Sequence, residues 1–207
     1  MKKAEPAEET ETETRNRRFE TPPEAFRQID FRNFSYPYRF RDGRKGKIPL
    51  EAGQYRFEFK PWDRGWFDFG QAYYLDLTND GNPEALVLLG HVSCGVGSCD
   101  GGAYLFYLYT IKHNHLKLLW RYETGDLAGA CGLKSLIVKD QKITMELFGR
   151  CFAEIEKSMG LGKFQVKDTT RLTFGFKGGK MVQEKKEFIA VPERNVMNYR
   201  PEISIDE

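Results

Sequence analysis

A chain of 207 residues and 24.0 kDa is long enough to bury one substantial core. Its formal net charge of +2 leaves no overall electrostatic footprint for nucleic acid, and no apolar run approaches the roughly 20 residues that span a bilayer, so no transmembrane segment is predicted. Aromatic residues make up 14% of the sequence, led by 16 Phe and 10 Tyr, which favour strands.

The chain opens Met1-Lys2-Lys3, but no apolar stretch follows, and residues 4–18 are mostly Glu, Thr and Arg. No signal peptide is therefore predicted in the chain. Residues 1–20 read as a disordered polar tail and residues 21–207 as a single β-rich domain. Pro22 to Gln28 predicts a turn or two of helix. Ile29 and Phe31, alternating with polar neighbours, predict a short strand. Arg39, Arg41, Arg44, Lys45 and Lys47 surround Asp42-Gly43. That run is either a solvated hairpin tip or an anion-binding patch suited to phospholipid headgroups or acidic glycans.

Tyr55 to Lys60 alternates apolar and charged residues, the pattern of a half-buried strand. Trp62 and Trp66 follow among charges and breakers, with Asp63 and Arg64 between them. This stretch, read as a loop, either covers one end of the core or forms a ligand-binding surface. Trp62, Asp63, Arg64 and Trp66 are its candidate ligand-binding residues, with the indoles stacking on sugar rings and Asp and Arg bonding hydroxyls. Tyr73–Leu77 and Ala85–Val92 predict two strands. Three hairpins are predicted downstream: Ala103–Ile111 with Leu116–Tyr122, Leu133–Val138 with Ile143–Phe148, and Arg171–Phe176 with Met181–Ile189. Gly178-Gly179 supplies positive φ angles to the last of these. Phe152–Met159 is the one helix candidate in this half of the chain. Successive hairpins with little helix predict a mainly β fold, a sandwich or open barrel of antiparallel strands.

The four cysteines are Cys94, Cys99, Cys131 and Cys151. Pairing 94–99 and 131–151 links neighbouring hairpin segments and requires an oxidising compartment. Free buried thiols, or a zinc site using His91, Cys94 and Cys99, are the alternatives. A Cys94–His91 nucleophile pair is disfavoured, because an odd separation along a strand sends the two side chains to opposite faces. His113 and His115 fall in a turn. Gly95-Val96-Gly97-Ser98 lacks the residues of a phosphate cradle.

Between the strands at 73–77 and 85–92 lies Asp76-Leu77-Thr78-Asn79-Asp80-Gly81-Asn82-Pro83-Glu84. Oxygen-bearing side chains at alternate positions suit a hard cation. Asp76, Thr78, Asp80, Asn82 and Glu84 are the candidate ligands, and calcium is the candidate cofactor. In the competing reading Asp76 and Asp80 cap backbone amides of a tight turn. The loop resembles the calcium loops of FG-GAP and VCBS-type β-propeller blades, with Thr78 in place of the usual Asp or Asn.

Asp30–Pro37, Phe67–Gly70, Tyr74–Ala85, Cys99–Gly102, Leu118–Asp126 and Glu146–Gly149 together resemble a group of uncharacterised bacterial proteins, many of which look exported or lipid-anchored. That resemblance implies a periplasmic or secreted β domain without catalytic residues to transfer. The function expected is a non-catalytic binding or structural module outside the cytoplasm, stabilised by calcium on the metal reading, with an envelope protein or a surface glycan as partner. An envelope hydrolase using carboxylates near the acidic loop, or an accessory subunit of a larger assembly, are the alternatives.

Overall fold

The computed structural model describes residues 21–40, 43–60, 63–94, 99, 101–125, 131–151, 165–195 and 200–205. The expected tail (residues 1–20) and the expected helix at Phe152–Met159 lie outside them. The strands are β1 (Ser35–Arg39), β2 (Lys45–Pro49), β3 (Gln54–Lys60), β4 (Asp63–Leu75), β5 (Glu84–Cys94), β6 (Gly101–Lys112), β7 (His115–Glu123), β8 (Leu133–Lys139), β9 (Lys142–Phe148), β10 (Gln165–Lys177), β11 (Lys180–Asn195) and β12 (Glu202–Ile205). A central five-stranded sheet runs β3-β4-β5-β6-β7, a second runs β11-β10-β9-β8-β12, and β1-β2 form a hairpin. The fold is mainly β, as expected, and the sheets are antiparallel except where β12 lies parallel to β8. Among the described residues, no helix is long and apolar enough to cross a membrane.

The central sheet is buried on both faces, and its sequence says why. Ala85-Leu86-Val87-Leu88-Leu89 and Leu105-Phe106-Tyr107-Leu108-Tyr109 are continuous apolar runs, not alternating ones. Leu86, Leu88, Phe106 and Leu108 face the second sheet, where they meet Leu136, Ile143, Met145, Leu147 and Leu172. Ala85, Val87, Leu89, Leu105 and Tyr107 face the other way, onto Phe26, Phe31, Tyr36 and Ile48 from the N-terminal segment. Burial of this kind is worth about 1.5–3 kcal/mol per large apolar side chain.

Three hairpins turn on two residues with positive φ: His113 and Asn114, Asp140 and Gln141, and Gly178 and Gly179. Two-residue turns of that hand match the twist of the flanking strands. Cys131 and Cys151 are paired, as are Cys94 and Cys99. The 94–99 bridge spans the link from β5 to β6, and 131–151 joins the segment two residues before β8 to that three residues after β9.

Ile29 and Phe31 do not form a strand. Asp30 accepts hydrogen bonds from Arg32 N at 2.9 Å and Asn33 Nδ2 at 2.6 Å, and its carbonyl accepts from Asn33 N. This side-chain-bonded turn competes with extension, so pairing begins at Ser35. The expected helical turn near Pro22–Gln28 is a short 3-10 turn, Glu24–Phe26, that buries Phe26. The stretch around Trp66 is strand, not loop: β4 runs 13 residues from Asp63. Gly65 makes that possible, since a Cβ there would lie 2.1 Å from the Val92 carbonyl oxygen.

Candidate functional site

The acidic loop folds upon its own carboxylates. Asp76 accepts from Asp80 N at 3.2 Å and Gly81 N at 2.9 Å, and Asp80 accepts from Asn82 N at 2.9 Å. Asn79 stands at φ 57 and Gly81 at φ 82. Glu84 opens β5 with 0% of its surface exposed. Its Oε2 accepts from Leu77 N at 2.9 Å and Thr78 N at 3.1 Å, and its Oε1 accepts from Thr78 Oγ1 at 3.2 Å. Burial pushes the Glu84 carboxyl up to about 7; the Thr78 and Leu77 amides pull the other way, and Asp80 and Asp76 add repulsion. The loop also reaches the second sheet, where Gln141 Nε2 donates to Asn79 Oδ1 at 2.9 Å.

The Asp76 and Asp80 bonds are those of the turn reading; those of Glu84 lie outside it. Among the described residues no group of three or more His, Cys, Asp or Glu side chains converges on a common point. Because the amides already rigidify the loop, millimolar calcium is expected to shift the melting temperature by no more than about a degree, within the range of weak, non-specific binding. A rise of several degrees that Asp76→Asn abolishes would instead assign a cation to Asp76, Thr78, Asp80, Asn82 and Glu84.

The histidines are separated. His113 and His115 are exposed at the β6–β7 turn. His91 is 7% exposed and stacks on Phe67 with ring centroids 4.2 Å apart. It faces the same side as Val87 and Leu89, whereas Cys94, three residues on, falls on the other side and is bonded to Cys99. A polar cluster missed by sequence reasoning surrounds His91. Glu123 accepts from Tyr38 OH at 3.0 Å and Arg121 at 3.3 Å, and its Oε1 lies 3.9 Å from His91 Nδ1. Arg121 and Tyr107 OH both donate to the Pro37 carbonyl, at 3.3 and 3.0 Å. These groups fasten the β1–β2 hairpin to the central sheet. Their separations in sequence, 85 residues for Tyr38 and Glu123, hide the cluster from any motif search.

The aromatic stretch yields a surface. Trp62 and the side chain of Asp63 lie outside the described residues. Arg64 and Trp66 are two apart on one strand and so share a face. Register extends that face into rows. Arg56, Trp66, Val92 and Gly102 are cross-strand partners, flanked by the row Gln54, Asp68, Gly90 and Tyr104 and by the row Glu58, Arg64 and Cys94. Arg56 and Arg64 are exposed, and Trp66, Asp68 and Val92 are half-buried. A Cβ at Gly102 would meet nothing within 4 Å, and one at Gly90 only the Asp68 carbonyl oxygen at 3.9 Å. Neither glycine is demanded by packing there, and together they leave a low floor beside the indole.

No family model, curated protein or solved structure matches the chain.

Proposed function

We propose that the chain is a non-catalytic binding module of an oxidising, extracytoplasmic compartment, and that its ligand is a glycan laid across the Trp66 face of the central sheet. The observation that carries this reading is the cross-strand set of Arg56, Arg64, Trp66 and Asp68 around a glycine floor. A half-exposed indole offers a flat face with negative charge on the π surface, complementary to the C–H bonds on one side of a pyranose ring. Arg64 and Arg56 supply hydrogen-bond donors and Asp68 supplies acceptors at the rim, the pairing that sugar hydroxyls need. A few polar groups around an apolar centre is the usual make-up of a small-ligand site. The paired cysteines support the compartment, since disulfides persist where thiols are not kept reduced.

The site is built on strands, so it needs no rearrangement to bind. A panel of neutral and acidic polysaccharides, run by affinity electrophoresis against the wild-type protein, tests the reading. At least one polysaccharide is expected to retard the protein, and Trp66→Ala to weaken that retardation tenfold or more, as a central aromatic anchor does. Gly102→Leu, which fills the floor without touching the core, is expected to do the same. Retardation by none of them, or retention unchanged in both variants, would contradict the proposal.

A further inference from the structure

The outer face of the β1–β2 hairpin carries three cations, Arg39, Lys45 and Lys47. Arg39 is the direct cross-strand partner of Lys45, and Pro37 that of Lys47, so Lys47 stands one step along the same exposed face. Like charges placed directly opposite on a sheet destabilise it. Several cations of the second sheet are neutralised: Arg171 and Lys134 share Glu146, Lys142 and Lys177 share Glu184, and Arg150 meets Asp168. Arg39, Lys45 and Lys47 make no ion pair or side-chain hydrogen bond with any described residue.

The tip of the hairpin adds an aromatic rim. The Arg44 guanidinium lies 4.8 Å from the Phe59 ring centroid and 5.6 Å from that of Phe40. Phe59 is 38% exposed, one of the few large apolar side chains so placed. Gly46 makes room for this arrangement, because a Cβ there would sit 2.6 Å from the Phe40 ring. The hairpin is also held rigidly from below by Tyr36 OH donating to the Phe31 carbonyl at 2.6 Å and by the Tyr38–Glu123 bond.

From this juxtaposition of clustered cations, without a counter-ion among the described residues, with an exposed ring at the tip, we infer that the β1–β2 hairpin docks on a membrane surface bearing anionic phospholipid headgroups. Headgroup phosphates neutralise Arg39, Lys45 and Lys47 and remove their mutual repulsion, and Phe59 enters the headgroup boundary, where aromatic rings are favoured. The three cations share one exposed face of the ribbon, which suits a surface array of charges. This inference is independent of the glycan reading, since the Trp66 face is on the opposite side of the central sheet.

Co-sedimentation with phosphatidylcholine vesicles, with and without phosphatidylglycerol, tests it. The full chain is expected to sediment with the anionic vesicles alone and to be released by salt. Each basic side chain near such a surface contributes roughly fivefold to partitioning, so Arg39→Gln/Lys45→Gln/Lys47→Gln is expected to partition about 100-fold less. Lys112→Gln/Lys117→Gln/Lys180→Gln, with the same net charge but exposed elsewhere, is expected to stay within about twofold of wild type, the remaining effect being screened. Phe59→Ser is expected to reduce partitioning severalfold with the salt dependence unchanged. No sedimentation, an equal loss in both triple variants, or hairpin-dependent binding to a soluble acidic polysaccharide without binding to vesicles would each overturn the inference. Matching thermal melts of the variants keep a folding defect from imitating the loss.

Discussion

Glu84→Ala is expected to destabilise the protein by about 3–5 kcal/mol, and Glu84→Gln by far less. The alanine variant strands the buried Leu77 amide together with the amide and hydroxyl of the half-buried Thr78; each buried donor left unpaired costs about 1–3 kcal/mol. Glutamine keeps one oxygen for the two amides and turns its NH2 group to Thr78 Oγ1, the hydroxyl reversing from donor to acceptor. The same reversal accommodates the protonated wild-type acid. The Glu84 carboxyl is raised to about 7 from an ordinary 4.5, so between those values the folded protein holds a proton that the unfolded chain has released. Stability from this group is therefore greatest at and below about pH 4.5 and falls as pH rises to about 7, by roughly 3 kcal/mol at about 1.4 kcal/mol per unit. Urea unfolding of wild type and Glu84→Gln at a series of pH values checks this. The difference between the two curves is expected to slope in favour of glutamine through that window and to be flat above it; a difference curve sloping the other way would refute the assignment.

Loss of the Cys131–Cys151 bridge ranks next. It closes a segment of 20 residues, and removing such a cross-link from the unfolded chain costs about 3 kcal/mol on the chain-entropy model. Cys151 is fully buried, and its amide bonds Thr170 Oγ1 at 2.8 Å, so the bridge also pins the exit of β9 against β10. Cys131→Ser/Cys151→Ser is expected to lower the melting temperature by about 6–12 °C, at a few degrees per kcal/mol for a chain of this size. The Cys94–Cys99 bridge spans a separation of 5, and its loss is expected to cost less, about 2 kcal/mol. A reductant that leaves the melt unchanged would contradict both pairings.

Much of this fold was legible in residue patterns. The apolar runs of β5 and β6 and the paired residues of three hairpins locate the strands, because strand period and turn chemistry are local properties. β12 was not legible. Glu202–Ile205 is four residues long, and its parallel partner β8 is reached only through a long excursion of the chain. The strand at Trp66 was obscured by Gly65, whose role appears only when the Val92 carbonyl lies against it. At the site, Arg64 and Trp66 were named from sequence, but Arg56, Asp68, Gly90 and Gly102 join them only through register. Asp76 and Asp80 were open between cation ligands and amide caps, and Glu84, read only as a candidate ligand, instead bonds the Leu77 and Thr78 amides. Which applies depends on the direction each carboxylate points, and ligand spacing alone does not fix that.

The most direct measurement is the fluorescence of Trp66 alone. In a Trp62→Phe/Trp120→Phe background, the remaining indole should change in emission wavelength and intensity on titration with the retarding polysaccharide, saturating at the affinity found by electrophoresis. A ligand that binds with that affinity yet leaves Trp66 emission unaltered would place binding elsewhere and contradict the account.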